Sequence, residues 1–298
     1  MATTDQERIS AIITAGGIGT RLLPFSKEIP KEMSPIITRD SKSDTILVKP
    51  IIQAIFEQLY DFGVRSFFTV VGRGKRAIED HFTPDQEFIE YLKKSGKKTD
   101  VLSTFYEKAA KSHLAFVTQT EPRGFGDAVL RVKPYLTGLD FIVHAGDTFI
   151  ISPENDYLSR LQATHTALDS DATVLLQEVK NPELYGVVIG EEFTGGIVKI
   201  DRAVEKPEIF LSQTAIMPIY IFKESIFEAL ESISPGKGGE LQLTDAIQFL
   251  ITSGKKVVGV KLNEKETRLD IGSPETLIEA LWLSSRELTS REAKWVTA

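Results

Sequence analysis

The sequence predicts an α/β fold, a mostly parallel sheet with helices on both faces. Two patterns carry the prediction. Short runs rich in β-branched and aromatic residues alternate along the chain with segments of helical period, the order that builds strand–helix–strand units. The first such run, Ile9 to Thr14, is almost wholly apolar instead of alternating, as a parallel strand covered on both faces requires. No Pro/Gly/Ser-rich linker and no repeat of solenoid length divides the 298 residues, so a single domain over 1–298 is expected, long enough to bury a substantial core.

The loop after that first strand is the most informative stretch. Ala15, Gly16, Gly17 and Gly19 leave the backbone bare, so successive N–H groups can converge on anionic oxygens. Arg21 follows with a planar fork suited to bidentate phosphate contact. Two commoner loops do not fit: a dinucleotide fingerprint needs a third glycine where Leu22 stands, and a Walker A loop needs Gly-Lys-Ser/Thr, which occurs nowhere. A plain glycine turn between strand and helix is the other reading of the loop taken alone. Lys31 is close enough to Arg21 along a loop to reach the same triphosphate, although exposed surface charge is the default for any single cation.

Further along, Pro50 to Phe62 sets Ile51, Ile55, Leu59 and Phe62 at helical spacing behind a proline at the first helical position. Ser66 to Val71, Leu114 to Thr118, Phe141 to His144, Thr173 to Val179 and Val257 to Lys261 read as strands. Thr38 to Asp44 reads as a peripheral insertion, and the lysine-rich stretch Asp85 to Asp100 as a solvated helix and turn. Gln119 ends one strand shortly before Gly124, and its amide has a donor and an acceptor to match the O4 and N3–H edge of uracil. Asp147 follows the run Phe141-Ile-Val143, and Asp270 sits in Thr267-Arg-Leu-Asp-Ile-Gly272. Ligands of such sheets bind beyond the C-terminal strand ends, so the glycine loop and Asp147 are expected to meet there. Mg²⁺ needs only one or two carboxylates beside substrate phosphates, which two aspartates satisfy, whereas Asp147 alone reads equally as the cap of a following helix. The last helix, Pro274 to Leu288, has Ser273 as N-cap and a stripe of Leu277, Ile278, Leu281 and Trp282 for the core or a subunit interface. The four histidines lack metal-ligand spacing, and His144 reads as structural.

Ala15-Gly-Gly-Ile-Gly-Thr-Arg21 followed by Pro30-Lys-Glu-Met33 resembles the signature of sugar-1-phosphate nucleotidylyltransferases, and the Pro-Lys-Glu-Met form is similar to that of the bacterial-type UDP-glucose pyrophosphorylases. The similarity continues in the family's order through Gln119 to Gly126, Gly146-Asp147, Tyr185-Gly-Val-Val188, Glu205-Lys-Pro207, Glu240-Leu-Gln-Leu-Thr-Asp245 and Asp270-Ile-Gly272. It implies a Rossmann-like, mostly parallel mixed sheet of the nucleotide-diphospho-sugar transferase fold. The nucleotide would lie in residues 9–150, the sugar phosphate in 151–272, with a helical segment over 273–298. The implied activity is a Mg²⁺-dependent in-line displacement that makes UDP-glucose and pyrophosphate from UTP and glucose 1-phosphate. By the same resemblance Ala15, Gly16, Gly17, Gly19, Thr20, Gln119 and Gly124 hold the nucleotide, while Arg21 clamps the leaving phosphates and Lys31 assists at the α-phosphate or pyrophosphate. Asp147 and Asp270 would hold the Mg²⁺, Lys206 the incoming sugar phosphate, and Gly186, Glu205 and Gln213 the sugar. Pro207 is expected to keep Lys206 extended, yet a task shared by Glu205 and Lys206 asks for an irregular strand end, since neighbours on a strand face opposite ways.

Gln213 stands where the family usually has Asn, Pro218 where it has Gly, and Val48 where it has Asp. The first two alter the expected sugar wall, so another hexose 1-phosphate stays open, and the sequence leaves UTP and dTTP both open as the nucleotide. The rival class is a catalytically silent regulatory subunit that binds nucleotide or sugar phosphate; its mark would be a lost aspartate or lysine, and the chain has lost none. The formal charge of −7 argues against a nucleic-acid surface, and the absence of cysteine removes disulfides and thiolate catalysis. No apolar run approaches the roughly 20 residues of a membrane span, and the polar start Met1 to Arg8 lacks a signal-peptide core. A cytoplasmic homo-oligomer, dimer or tetramer, is expected.

Overall fold

The apolar run after Ile9 forms β1 (Ser10–Ala15), buried along its whole length in a computed structural model that describes residues 9–40, 45–136 and 138–289. Residues 41–44 of the expected insertion, and 290–298 of the expected C-terminal segment, lie outside the described residues. A hairpin of β2 (Pro35–Arg39) and β3 (Ile46–Pro50) leads into α1 (Ile51–Phe62), then β4 (Ser66–Gly72), α2 (Arg76–Phe82), α3 (Gln86–Lys94), α4 (Asp100–Ala110), β5 (His113–Gln119) and α5 (Phe125–Leu130). Next come β6 (Phe141–Ala145), β7 (Thr148–Ile151), α6 (Asp156–Leu168), β8 (Ala172–Glu178), β9 (Gly186–Glu192), β10 (Ile197–Glu205) and β11 (Thr214–Phe222). The chain closes with α7 (Ser225–Ser232), α8 (Leu243–Thr252), β12 (Val257–Lys261), β13 (Thr267–Asp270) and α9 (Pro274–Thr289).

Nine strands form one mixed sheet in the order β5-β4-β1-β6-β11-β8-β12-β10-β9. The block β5-β4-β1-β6 is parallel throughout, as is the pair β8-β12. β11 runs antiparallel to both β6 and β8, and β10 antiparallel to β12 and β9. The short turn over 193–196 explains the last pairing, since only antiparallel strands can be joined by a tight connection. β1 lies between β4 and β6, so the chain leaves it toward opposite sides and a crevice opens at the C-terminal strand ends.

Alternate side chains of the strands feed two cores, one on each face. Ala11 and Ile13 of β1 join Ile52, Phe56 and Leu59 of α1 and Leu158 and Leu161 of α6, while Ile12 joins Val129 of α5, Phe227 of α7 and Ile247 of α8. Helix α3 is solvated as expected, with only Ile89 buried. Pro50 ends β3 with extended backbone, so α1 starts one residue later than the sequence suggests. Ser273 caps α9, accepting from Thr276 N at 3.3 Å. The apolar stripe of α9 divides: Leu277 and Leu281 are half-buried, whereas Ile278 and Trp282 are 68% and 55% exposed. Among the described residues no helix is long and apolar enough to cross a membrane.

Candidate active site

At the crevice beside β1 lies a cavity of about 420 Å³, walled by the loop from Gly16 to Thr20, by Lys31, Gln119, Gly124 and Asp147. The ends of β1 and β6 beside it are tied together, Gly146 N donating to Thr14 O at 2.9 Å. The glycine loop is open by necessity: Gly19 has φ +73°, and a Cβ at Gly16 would collide with Gln119 Oε1.

Lys31 leads a single 3₁₀ turn, Lys31–Met33, and its ammonium donates to Asp147 Oδ2 across the crevice. Burial opposes the charge on Lys31, but the carboxylates of Asp147, Glu32 and Asp270 outweigh it and hold its pKa above the ordinary lysine value. Asp147 is followed at once by β7, so there is no helix for it to cap. β13 pairs with β7 through Asp270 and Thr148, and Ile271 N donates to Asp147 O at 2.9 Å, which brings the two aspartates together. Burial first, then the charge of Asp147, push the Asp270 carboxyl above its ordinary range against the pull of Arg268, Lys31 and Arg21. Two carboxylates that repel each other this way are a fitting donor pair for a divalent cation. Arg21 reaches the same corner: a Cβ at Gly272 would lie 2.9 Å from Asp270 Oδ2 and 3.1 Å from Arg21 Nη2. Among the described residues no group of three or more His, Cys, Asp or Glu could hold a metal, so phosphate and water oxygens would have to complete the shell.

Gln119 corrects an expectation. Its Nε2 donates to Gly124 O at 3.1 Å and to Asp127 Oδ2 at 2.8 Å, so both amide hydrogens are committed and only Oε1 is left for a base. Gly124 is required for a different neighbour than a nucleobase ring. At φ +105° a Cβ there would sit 2.8 Å from Glu240 Cβ and from Leu241 O, where the segment opening the Glu240-Leu-Gln-Leu-Thr-Asp245 motif presses against α5.

The proposed sugar end is built on the β9–β10 hairpin, where Gly186 pairs with Glu205. Thr244 Oγ1 donates to Glu205 Oε2 at 2.7 Å, and Lys206 Nζ lies 3.3 Å from Glu205 Oε1. A Cβ at Gly186 would crowd both Thr244 Oγ1 and Glu205 Oε2. Lys206 is not extended: its φ is +43°. Hydrogen bonds override the preference imposed by Pro207, since Lys206 N donates to Tyr185 O at 2.9 Å and Lys237 Nζ donates to Lys206 O at 2.8 Å. This left-handed residue is the irregular strand end that lets neighbouring side chains 205 and 206 meet. Gln213 is exposed, its carbonyl accepts from Val179 N at 2.9 Å, and it does not line the cavity. Pro218 falls within the register shift of β11 against β8, a place in a ladder where a missing N–H is tolerated.

The sequence profile of nucleotidyl transferases matches residues 10–283. The chain belongs to that family. It is 37% identical over 275 residues to a UTP–glucose-1-phosphate uridylyltransferase of Streptococcus pneumoniae, covering 88% of this chain and 85% of the relative. With the enzyme of that name from Mycoplasma pneumoniae it shares 35% over 278 residues, 91% and 90% of the two chains. A UDP-glucose pyrophosphorylase solved with UDP-glucose superposes with a TM-score of 0.80 at 30% identity over 94% of this chain and 99% of that one. A UTP-bound enzyme of Acinetobacter baumannii gives 0.79 at 26% identity over 94% of each.

Two features of the site escaped the sequence. Lys75 Nζ donates to Glu32 Oε2 at 2.6 Å, a pair with side chains only 8% and 1% exposed, directly behind Lys31. Burial pushes the Glu32 carboxyl up, and Lys75 and Lys31 draw it back. A signal was present in Gly72-Arg-Gly-Lys75, a second glycine-bearing loop at a parallel strand's C-terminal end. The other is Asp127, one residue beyond the Gln119–Gly126 motif.

Proposed function

We propose that the protein is a uridylyltransferase that makes UDP-glucose and pyrophosphate from UTP and glucose 1-phosphate. The observation that carries the reading is the convergence on one cavity of a glycine loop, Lys31 and Asp147, with Asp270 set beside Asp147 by the pairing of β13 with β7. The bare amides of 15–20 take the triphosphate, with Arg21 on the β and γ phosphates from its corner beside Asp270. Lys31, leaving Asp147, meets the α-phosphoryl and pyrophosphate oxygens. Lys206 and Glu205 hold the sugar phosphate, Lys206 the phosphate and Glu205 the hydroxyls. A phosphate oxygen of glucose 1-phosphate attacks the α-phosphorus, the bond from that phosphorus to the bridging oxygen breaks, and pyrophosphate leaves. The attacking oxygen is already ionised, so no general base is needed. Asp147 and Asp270 would hold Mg²⁺, which supplies charge neutralisation at the phosphates.

In this reading the nucleotide occupies the 9–150 half and the sugar phosphate the 151–272 half of one domain, in a cytoplasmic homo-oligomer. Because Pro218 has no N–H where the family's glycine would have one, weak discrimination between glucose 1-phosphate and its galactose or N-acetylglucosamine counterparts is expected. Purified protein assayed for pyrophosphate with UTP, dTTP and a panel of sugar 1-phosphates tests the reading. Turnover with UTP and glucose 1-phosphate supports it; no turnover with any pair would leave a silent binding subunit. A preference for glucose above about three decades in catalytic efficiency, or ratios unchanged in Pro218→Gly, would remove Pro218 from the sugar wall.

A further inference from the structure

We propose that Asp127 is a positioning residue that fixes which end of the Gln119 amide faces the nucleobase, and so admits bases with a ring N–H at that edge and rejects those with a bare ring nitrogen. The inference rests on the uridylyltransferase reading and deepens it. Asp127 stands in the first turn of α5 and is 7% exposed. One of its oxygens accepts from Gln119 Nε2 at 2.8 Å, and the other from Arg131 Nη2 at 3.1 Å, one helical turn on. The second amide hydrogen of Gln119 goes to Gly124 O at 3.1 Å.

A backbone carbonyl and a carboxylate only accept hydrogen bonds, so the amide nitrogen has to face them. Flipping the amide would set its oxygen against two other acceptors in a site that is 4% exposed. Oε1 is therefore held toward Gly16, where the missing Cβ leaves it room, and Gln119 lines the cavity on either side of the glycine loop. Oε1 accepts no hydrogen bond from the described residues. A fixed acceptor in that position complements the N3–H of uracil or thymine. Against the unprotonated N3 of cytosine it sets two acceptors face to face.

The test compares catalytic efficiency for UTP, dTTP and CTP with glucose 1-phosphate in the natural protein, Asp127→Asn, Asp127→Ser and Asp127→Glu. Asn and Ser can donate as well as accept, which removes one of the two acceptors that hold the Gln119 amide and lets it turn at the cost of the bond to Gly124 O. In both variants the UTP:CTP ratio is expected to fall about tenfold or more, through KM for CTP, the scale of one discriminating hydrogen bond. The UTP:dTTP ratio should stay within about twofold, because both bases carry the same N3–H, and Asp127→Glu should restore most of the UTP:CTP preference. An unchanged UTP:CTP ratio in the folded variants overturns the proposal, as does a parallel change in both ratios, which would mean a general distortion of the pocket. Calorimetric binding of UDP and CDP to the same proteins separates the two layers of argument. A natural protein that prefers UDP through Asp127 yet releases no pyrophosphate keeps the inference and sinks the uridylyltransferase reading.

Discussion

Lys206 shows how a single residue is bent to a task. A non-glycine residue at φ +43° stores strain of roughly 1 to 3 kcal/mol, tolerated because its N–H and carbonyl are both held. Lys206→Gly is therefore expected to lose most use of the sugar phosphate while gaining about 1 kcal/mol of stability, whereas Lys206→Ala loses the same activity and gains nothing. Denaturation midpoints of the two variants decide it; equal midpoints would mean the turn is unstrained. The aspartate pair makes a second prediction. Asp270→Asn removes a charge that Asp147 repels, so the fold should hold or tighten while turnover at saturating Mg²⁺ drops by about two decades or more. Near-natural turnover would return Asp270 to a structural role.

Between elements, the Glu32–Lys75 pair ties the 3₁₀ turn that carries Lys31 to the loop after β4. Breaking a buried pair from one side leaves an uncompensated charge, so Lys75→Met should cost about 3 to 5 kcal/mol. The double change Glu32→Leu with Lys75→Met should recover most of that, because two apolar side chains of similar size need no partner. Urea midpoints of the single and double variants measure the coupling, and simple additivity would mean that the pair does not act as a unit. The strands β1, β4, β5, β6, β8 and β12 and helix α1 were legible because short β-branched runs and helical spacing are local patterns, whereas β11, which runs antiparallel between β6 and β8, was not read from its sequence. The pairing of Glu32 with Lys75 was not, because nothing in the spacing of two residues 43 apart reveals that parallel strands bring their loops together.

Across the whole molecule, burial makes one histidine a sensor of acid. His144 is fully buried with its Nδ1–H donating to Ala145 O at 2.8 Å, and burial lowers its pKa from the ordinary 6.5 to about 4. Between those values only the unfolded chain takes up the proton at this site, so the contribution of His144 to stability falls as pH drops from 6.5 toward 4 and levels below it, by up to roughly 3 kcal/mol. Burial lowers the pKa of His81 too, in the same direction. Denaturation at stepped pH should show a shallower slope in His144→Asn, whose amide can still donate to Ala145 O without titrating; an identical slope would locate the acid sensitivity elsewhere. The exposed pair Ile278 and Trp282 on α9 makes the last prediction. If that face joins subunits, Trp282→Asp should lower the mass seen by light scattering without lowering the melting temperature of each chain, and an unchanged mass would leave the pair as surface.

By itself the sequence determined the α/β class, the position of the glycine loop and the identity of the charged residues, since bare backbone, β-branched apolar runs and helical period are properties of neighbouring residues. It also placed Asp147 and the loop at the same sheet edge, because parallel strands end together. Only the tertiary structure decided that Lys31 meets Asp147 across 116 residues, that Lys206 turns left-handed against the bias of Pro207, and that Gln119 has its donors spent on Gly124 and Asp127. Hydrogen bonds and charges at a buried site answer to whichever groups the fold brings within about 3 Å, and that proximity is set by the whole sheet and not by distance along the chain.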